Sequence, residues 1–221
     1  VGNSCKFASN TGEEIKVNAY STDNNNGTGA FAKATLTVWS GGIGVKNPFD
    51  TNESGSPNHA TDNSGKDDLV VFQHYDPSYL FTGFQIGWKS SDADITAWIG
   101  GNSLGANYDF TGTHFSDLAG FGFTKFTFNN VPVNTTQDLD PDTIGRYLII
   151  APTEFDPSTN CGRRGRSACD QYDYFKISQI SGDEPVNVPE PGTLALFGVA
   201  LFGFWLSSSF RNPRLKTLRL Q

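Results

Sequence analysis

The sequence contains no methionine, and only three cysteines and three histidines, in 221 residues. None of His59, His74 and His114 stands at ligand spacing from Cys5, Cys161 or Cys169, so a zinc-finger organisation is excluded. A chain that begins at Val1 and lacks Met is expected to have lost a start codon and a signal peptide. Basic residues are scarce in the body: residues 1–190 carry 12 Lys/Arg against 23 Asp/Glu, a net charge of −11, while the remainder adds four positive charges. Neutralising phosphates takes basic patches, so nucleic acid is excluded as a partner. Amphipathic helical periodicity does not persist anywhere before residue 193, which argues against a helical bundle. EF-hand spacing, a nucleophile elbow, a His-Glu zinc motif and internal repeats are all missing.

What the body does have is period-2 alternation. Ile15, Val17 and Ala19 alternate with Lys16 and Asn18, and Ala34, Leu36 and Val38 alternate with Thr35 and Thr37. Each pattern predicts a half-buried strand, and the two together predict a hairpin. Further strands are expected at Leu69–Phe72, Ile95–Ile99, Phe121–Phe128, Arg146–Ala151 and Tyr172–Ile180. Another is expected across Leu80, Phe84, Ile86 and Trp88, which would share one face. Ser40 to Gly65 reads as a long loop rich in Gly, Asn, Ser and Asp, and Asn102 to Gly122 as turn-rich with a short helical turn near Ser116–Ala119. Short strands separated by polar turns indicate an all-β domain, an antiparallel β-sandwich of jelly-roll-like type, over residues 1–181.

Three groups of residues in this body could carry chemistry. Asp62, Asn63, Asp67, Asp92 and Asp94 are hard oxygen donors in two loops, the kind of set that binds Ca²⁺; the same side chains also serve to hydrogen-bond their own turns. No cofactor is required by the sequence beyond that optional calcium. Trp39, His59 and Trp88 form a candidate ligand-facing set. With Trp98, Tyr75, Tyr79 and Tyr108 the two tryptophans could supply a platform for stacking sugars, although aromatics at strand positions are also core-forming. His59 with Asp62 and Ser40 offers a base, a carboxylate and a hydroxyl, without any motif that fixes catalytic geometry. In an oxidising compartment Cys161 and Cys169 are a natural disulfide pair, with Cys5 either joined to one of them or free.

The remaining chain is of a different kind. A linker at residues 182–191 leads through Val188, Pro189, Glu190 and Pro191 into an uncharged run over 193–210, followed by Arg211, Arg214, Lys216 and Arg219. At ~1.5 Å per residue this run spans roughly 27 Å as a helix, near the hydrocarbon thickness of a bilayer. The basic residues after it place the C-terminus in the cytoplasm, and the prolines put an extended hinge at the membrane face. This order of Pro-Glu-Pro, apolar segment and arginines resembles the PEP-CTERM sorting signal of Gram-negative bacteria. The resemblance implies export across the inner membrane, a transient C-terminal anchor over 192–221, recognition and cleavage by exosortase, and delivery to the cell surface or extracellular matrix. Trp39-Ser40-Gly41-Gly42-Ile43-Gly44-Val45, Pro57 to Asn63, Asp67 to Phe72 and Asp173-Tyr174-Phe175-Lys176-Ile177 are similar to segments of exosortase-dependent surface proteins. The expectation that follows is a non-catalytic structural or adhesive protein, engaged in self-association or with extracellular polysaccharide. The alternatives are a carbohydrate-binding module and, further off, a jelly-roll glycoside-active enzyme with two facing carboxylates.

Overall fold

Ile15, Val17 and Ala19 do line one face of a strand, and that strand lies within the larger of two sheets. The computed structural model describes residues 2–9, 12–24, 28–49, 59–90, 92–153 and 172–183, all within the unit Val1–Pro185. The proposed Cys161–Cys169 disulfide, the Pro-Glu-Pro motif, the apolar run and Arg211 and Arg214 lie outside the described residues. No helix among the described residues is long and apolar enough to cross a membrane.

In chain order the strands are β1 (Ser4–Ala8), β2 (Glu14–Thr22), β3 (Phe31–Lys33), β4 (Thr35–Trp39), β5 (Gly42–Lys46), β6 (Thr61–Asp62) and β7 (Asp68–Gln73). They continue as β8 (Leu80–Ser90), β9 (Ile95–Gly100), β10 (Thr124–Phe128), β11 (Gln137–Asp138), β12 (Tyr147–Pro152) and β13 (Tyr174–Asp183). The first sheet runs β1-β2-β7-β12-β9-β10, with β3 also on β2. The second runs β11-β8-β13-β5-β4, with β6 also on β13. All the strand pairs are antiparallel. One core joins the two sheets: Val17, Val70, Phe72, Ile99 and Ile150 come from the first, and Leu36, Val45, Phe84, Ile86 and Phe175 from the second.

Three departures from the sequence reading matter for the site. The segments 14–20 and 34–39 do not form a hairpin, because β3 takes the place beside β2 and the chain then crosses to the second sheet as β4. The glycine-rich stretch after Trp39 is not loop throughout, since Gly42–Lys46 is a strand between β4 and β13. Finally, Trp88 does not share the face of Phe84 and Ile86. The β8–β13 register shifts between the pairs Lys176↔Trp88 and Ile177↔Ile86, and this bulge turns Trp88 to the outer face.

The turn-rich segment 101–123 has a structural task. It carries a short 3-10 helix, Phe115–Phe121, and lays Phe110, Phe115, Leu118 and Phe123 on the outer face of the first sheet. There they meet Tyr20, Leu69, Val71, Trp98, Tyr147 and Ile149, so β7, β9 and β12 are buried on both faces. Two buried tyrosine hydroxyls hold the segment down. Tyr147 Oη donates to Gly105 O at 2.6 Å and accepts from Tyr108 N at 3.0 Å, while Tyr20 Oη accepts from Phe110 N at 3.4 Å. Burial pushes the Tyr20 phenol up to about 12, so it stays a donor across ordinary pH.

An ion pair fixes the same segment at its edge, with Lys33 Nζ 2.7 Å from Asp109 Oδ2. The Lys33 hydrogen bond, then those from Thr111, lower the Asp109 carboxyl from 3.8 to about 2. A folded value below the unfolded one means that the pair stabilises fully above the unfolded value, and that this contribution is lost as pH falls through about 2. Asp109→Asn is therefore expected to flatten the acid limb of thermal stability between pH values of about 4 and 2. The effect should shrink in high salt because the pair is exposed.

Candidate functional site

While the first sheet is covered on its outer face, the second presents an aromatic cluster there. Along β13, Phe175 and Ile177 point into the core, so Tyr174 and Lys176 point outward. Trp88 on β8 is the direct partner of Lys176, and Trp39 ends β4 on the same face. The Lys176 ammonium lies 5.1 Å from the Trp88 ring centroid and 5.7 Å from that of Trp39. The other member is His59, whose ring stacks on Trp39 at 5.7 Å and an interplanar angle of 9°. The sequence therefore named three members, Trp39, His59 and Trp88, that the fold brings together. It missed Lys176, although the alternation in Tyr174-Phe175-Lys176-Ile177 marks that residue as facing away from the core.

The backbone around the cluster is tightly set. His59 is held at φ 59, in the left-handed region that a non-glycine residue enters at a cost. Its carbonyl accepts from Thr37 Oγ1 at 3.3 Å, and the Ala60 carbonyl accepts from Val45 N at 3.3 Å. Gly41 lies flush on Trp88, such that a Cβ there would fall 2.6 Å from Trp88 Cβ. Trp39 remains 55% exposed. Partial burial lowers the Lys176 pKa, the direction expected of an ammonium that gives up water for indole faces.

The other aromatics that the sequence offered for sugar stacking go elsewhere. Trp98 is only 5% exposed and stacks on Phe115 beneath the 101–123 segment, Tyr79 belongs to the main core, and Tyr108 packs against the second cluster. Tyr75 is exposed on a separate surface, with Lys6 at 5.8 Å from its ring.

The acidic loops organise around a residue outside the predicted set, Asp173. Asn63 donates from Nδ2 to Asp173 Oδ2 at 3.2 Å and to Thr153 O at 3.1 Å, and its Oδ1 accepts from Asp173 N at 2.9 Å. Asp173 Oδ1 also accepts from Asp94 N at 2.6 Å. Asp94 Oδ1 accepts from Asn130 N at 2.6 Å, Asp92 Oδ1 from Ala93 N at 2.8 Å, and Asp62 Oδ1 from Ser64 N at 2.9 Å. Asp67 sits apart from these, bonded through its backbone to Thr22. Asp62, Asn63, Asp92 and Asp94 thus gather around the start of β13 as backbone-capping groups, and Asp67 does not join them. Among the described residues, no three His, Cys, Asp or Glu side chains are grouped to hold a metal ion. Cys5, on β1, is a free thiol.

One further opening is an apolar cleft of about 350 Å³ where the sheets part, lined by Phe7, Ile15, Val38, Ile43, Ile177 and Ile180 among others. It has no charged group and continues the core.

Beyond the sandwich, residues 187–211 match the family model of the PEP-CTERM protein-sorting motif. The chain carries a PEP-CTERM sorting signal. The match includes Val188, Pro189, Glu190, Pro191 and Arg211, while Arg214 lies just past its end. A PEP-CTERM signal directs exosortase-dependent sorting toward the cell surface, so exosortase is the processing partner that the motif implies. No curated protein and no solved structure matches the chain.

Proposed function

We propose that this PEP-CTERM chain is a non-catalytic surface or matrix protein with a structural or adhesive task. In this reading a jelly-roll-like sandwich is exported across the inner membrane. It is held briefly by a helix over residues 193–210 and released when exosortase cuts near Pro191. The observation that carries the reading is the position of the sorting motif, which starts at residue 187, just after the last strand of the sandwich ends at Asp183. A folded domain thus precedes the signal with only a short connection between them.

The charge distribution supports release as the end point. Cutting near Pro191 separates four basic residues from a body of net charge −11, and such a body is self-repelling and soluble. Support for a non-catalytic task comes from the carboxylates of the two acidic loops, which cap backbone amides around Asp173. A Cys161–Cys169 disulfide and an accessory calcium are compatible additions that the reading does not need.

The motif itself can be tested by substitution. Pro189→Ala combined with Pro191→Ala should leave the protein in the membrane fraction with its tail attached, whereas the unsubstituted chain reaches the outer fraction. Equal release of both proteins would show that the motif is not the signal.

A further inference from the structure

We infer that the outer face of the second sheet is a binding surface for a neutral polysaccharide, with pyranose rings stacking on Trp39 and Trp88. This goes beyond the sorting reading and stands on different residues.

A tryptophan costs free energy when left in water, and the fold buries such a ring elsewhere: Trp98 is 5% exposed, whereas Trp39 is 55% exposed. The 101–123 segment covers the first sheet's outer face, whereas the described residues include no comparable segment over Trp39, and Trp88 beside it is half-buried.

The two rings are also pre-organised. Lys176 stands over both indoles, His59 stacks on Trp39 from a left-handed backbone position, and Gly41 braces Trp88. Rings locked this way lose little rotamer freedom on binding, and weak stacking contacts need that economy. The strained φ of His59 is maintained by the Thr37 hydrogen bond to its carbonyl, so the stack on Trp39 is built in.

The chemistry of the face selects the ligand. Flat aromatic surfaces suit the C–H faces of pyranose rings, and the Lys176 ammonium and the indole N–H groups are donors for sugar hydroxyls. The face is poor in aliphatic side chains: exposed Val38 points to the opposite side of β4, into the apolar cleft, while Thr35 and Thr37 alternate with buried Leu36 and share the side of Trp39. A protein-docking surface would instead have an apolar centre. Charge decides between polysaccharides. A body of net charge −11 repels an acidic polymer, and Lys176, the cation set against the rings, is already engaged by both indoles.

Affinity electrophoresis and calorimetry of the mature chain test this, using laminarin, hydroxyethyl cellulose and dextran as neutral probes and alginate as the acidic comparator. At least one neutral polymer should bind, insensitively to salt, with a shift in tryptophan fluorescence. Trp39→Ala and Trp88→Ala should each weaken binding on the order of tenfold or more. Tyr75→Ala, on a separate surface, should change nothing. Trp39→Gln serves as a second variant, and the melting temperature of every variant is compared with the parent, so that lost binding is separated from lost folding. Three results would overturn the inference: binding to no neutral probe, equal binding by folded Trp39 and Trp88 variants, or salt-sensitive binding to alginate alone. Each leaves tail processing untouched, and a failure of processing leaves the binding result untouched.

Discussion

Gly44→Ala is expected to destabilise the domain by about 3 kcal/mol or more, because a rigid backbone fills the space its side chain would need. A Cβ on Gly44 would strike the His59 carbonyl oxygen, with the carbonyl carbon at 2.9 Å and the Ala60 carbonyl carbon at 3.3 Å. These are main-chain atoms, and the Thr37 and Val45 hydrogen bonds fix them in place. Gly42 has a related constraint: its φ is +119, and a Cβ would run into the Ile177 backbone, whose carbonyl carbon is at 2.6 Å. The glycines after Trp39 are therefore what lets β5 lie between β4 and β13 with the His59–Ala60 backbone against it. Urea unfolding of the two single variants gives the check. A midpoint for Gly44→Ala within error of the parent would mean that the His59 segment moves freely. The proposed binding face would then lose its rigid support.

The second large effect is expected at Asp173→Ala, with a loss of about 2–4 kcal/mol. The side chain is 5% exposed and accepts from both Asp94 N and Asn63 Nδ2. Its removal leaves the Asp94 amide and one arm of Asn63 without those acceptors in a water-poor site, which costs more than a pair of exposed bonds. It also loosens three chain segments at once: the start of β13, the turn between β8 and β9, and the residues after β6. Asn63→Ala should have a smaller effect of the same sign, and the two should be non-additive because they remove one shared network. Thermal and urea unfolding of the single and double variants measures this. Strict additivity would show that the two residues act separately.

The sequence was most legible where one physical signal acted alone. Alternation in Ile15-Val17-Ala19 located β2, since one-sided burial on a pleated strand has a period of two, and the short apolar run in Arg146–Ala151 located β12, which is buried on both faces. The sorting signal was legible for a similar reason, because proline, apolar length and basic charge each leave a separate mark. The failures came where tertiary contact overrode local chemistry. Glycine reads as a turn residue, yet Gly42 and Gly44 are strand residues chosen for close backbone approach. Trp88 fits the pattern of Phe84 and Ile86, and only a bulge opposite Lys176–Ile177 turns it outward. The 101–123 segment has turn composition but supplies aromatics at irregular spacing, so no period announces that it covers a sheet.

The candidate site was half legible. Trp39, His59 and Trp88 were named from their residue types, while their common ground, Lys176, depends on strand register that no single segment encodes. Asp173 was missed as an organising group because its partners lie 79 and 110 positions away in the chain.

The central claim is that this sandwich is delivered by a removable PEP-CTERM signal, and intact-mass analysis of the mature protein tests it most directly. The protein should be recovered from a host that has its exosortase and from the same host with the exosortase deleted. The account predicts a chain ending near Pro191 in the first and a chain retaining its tail in the second. A tail running through Gln221 in both would contradict it.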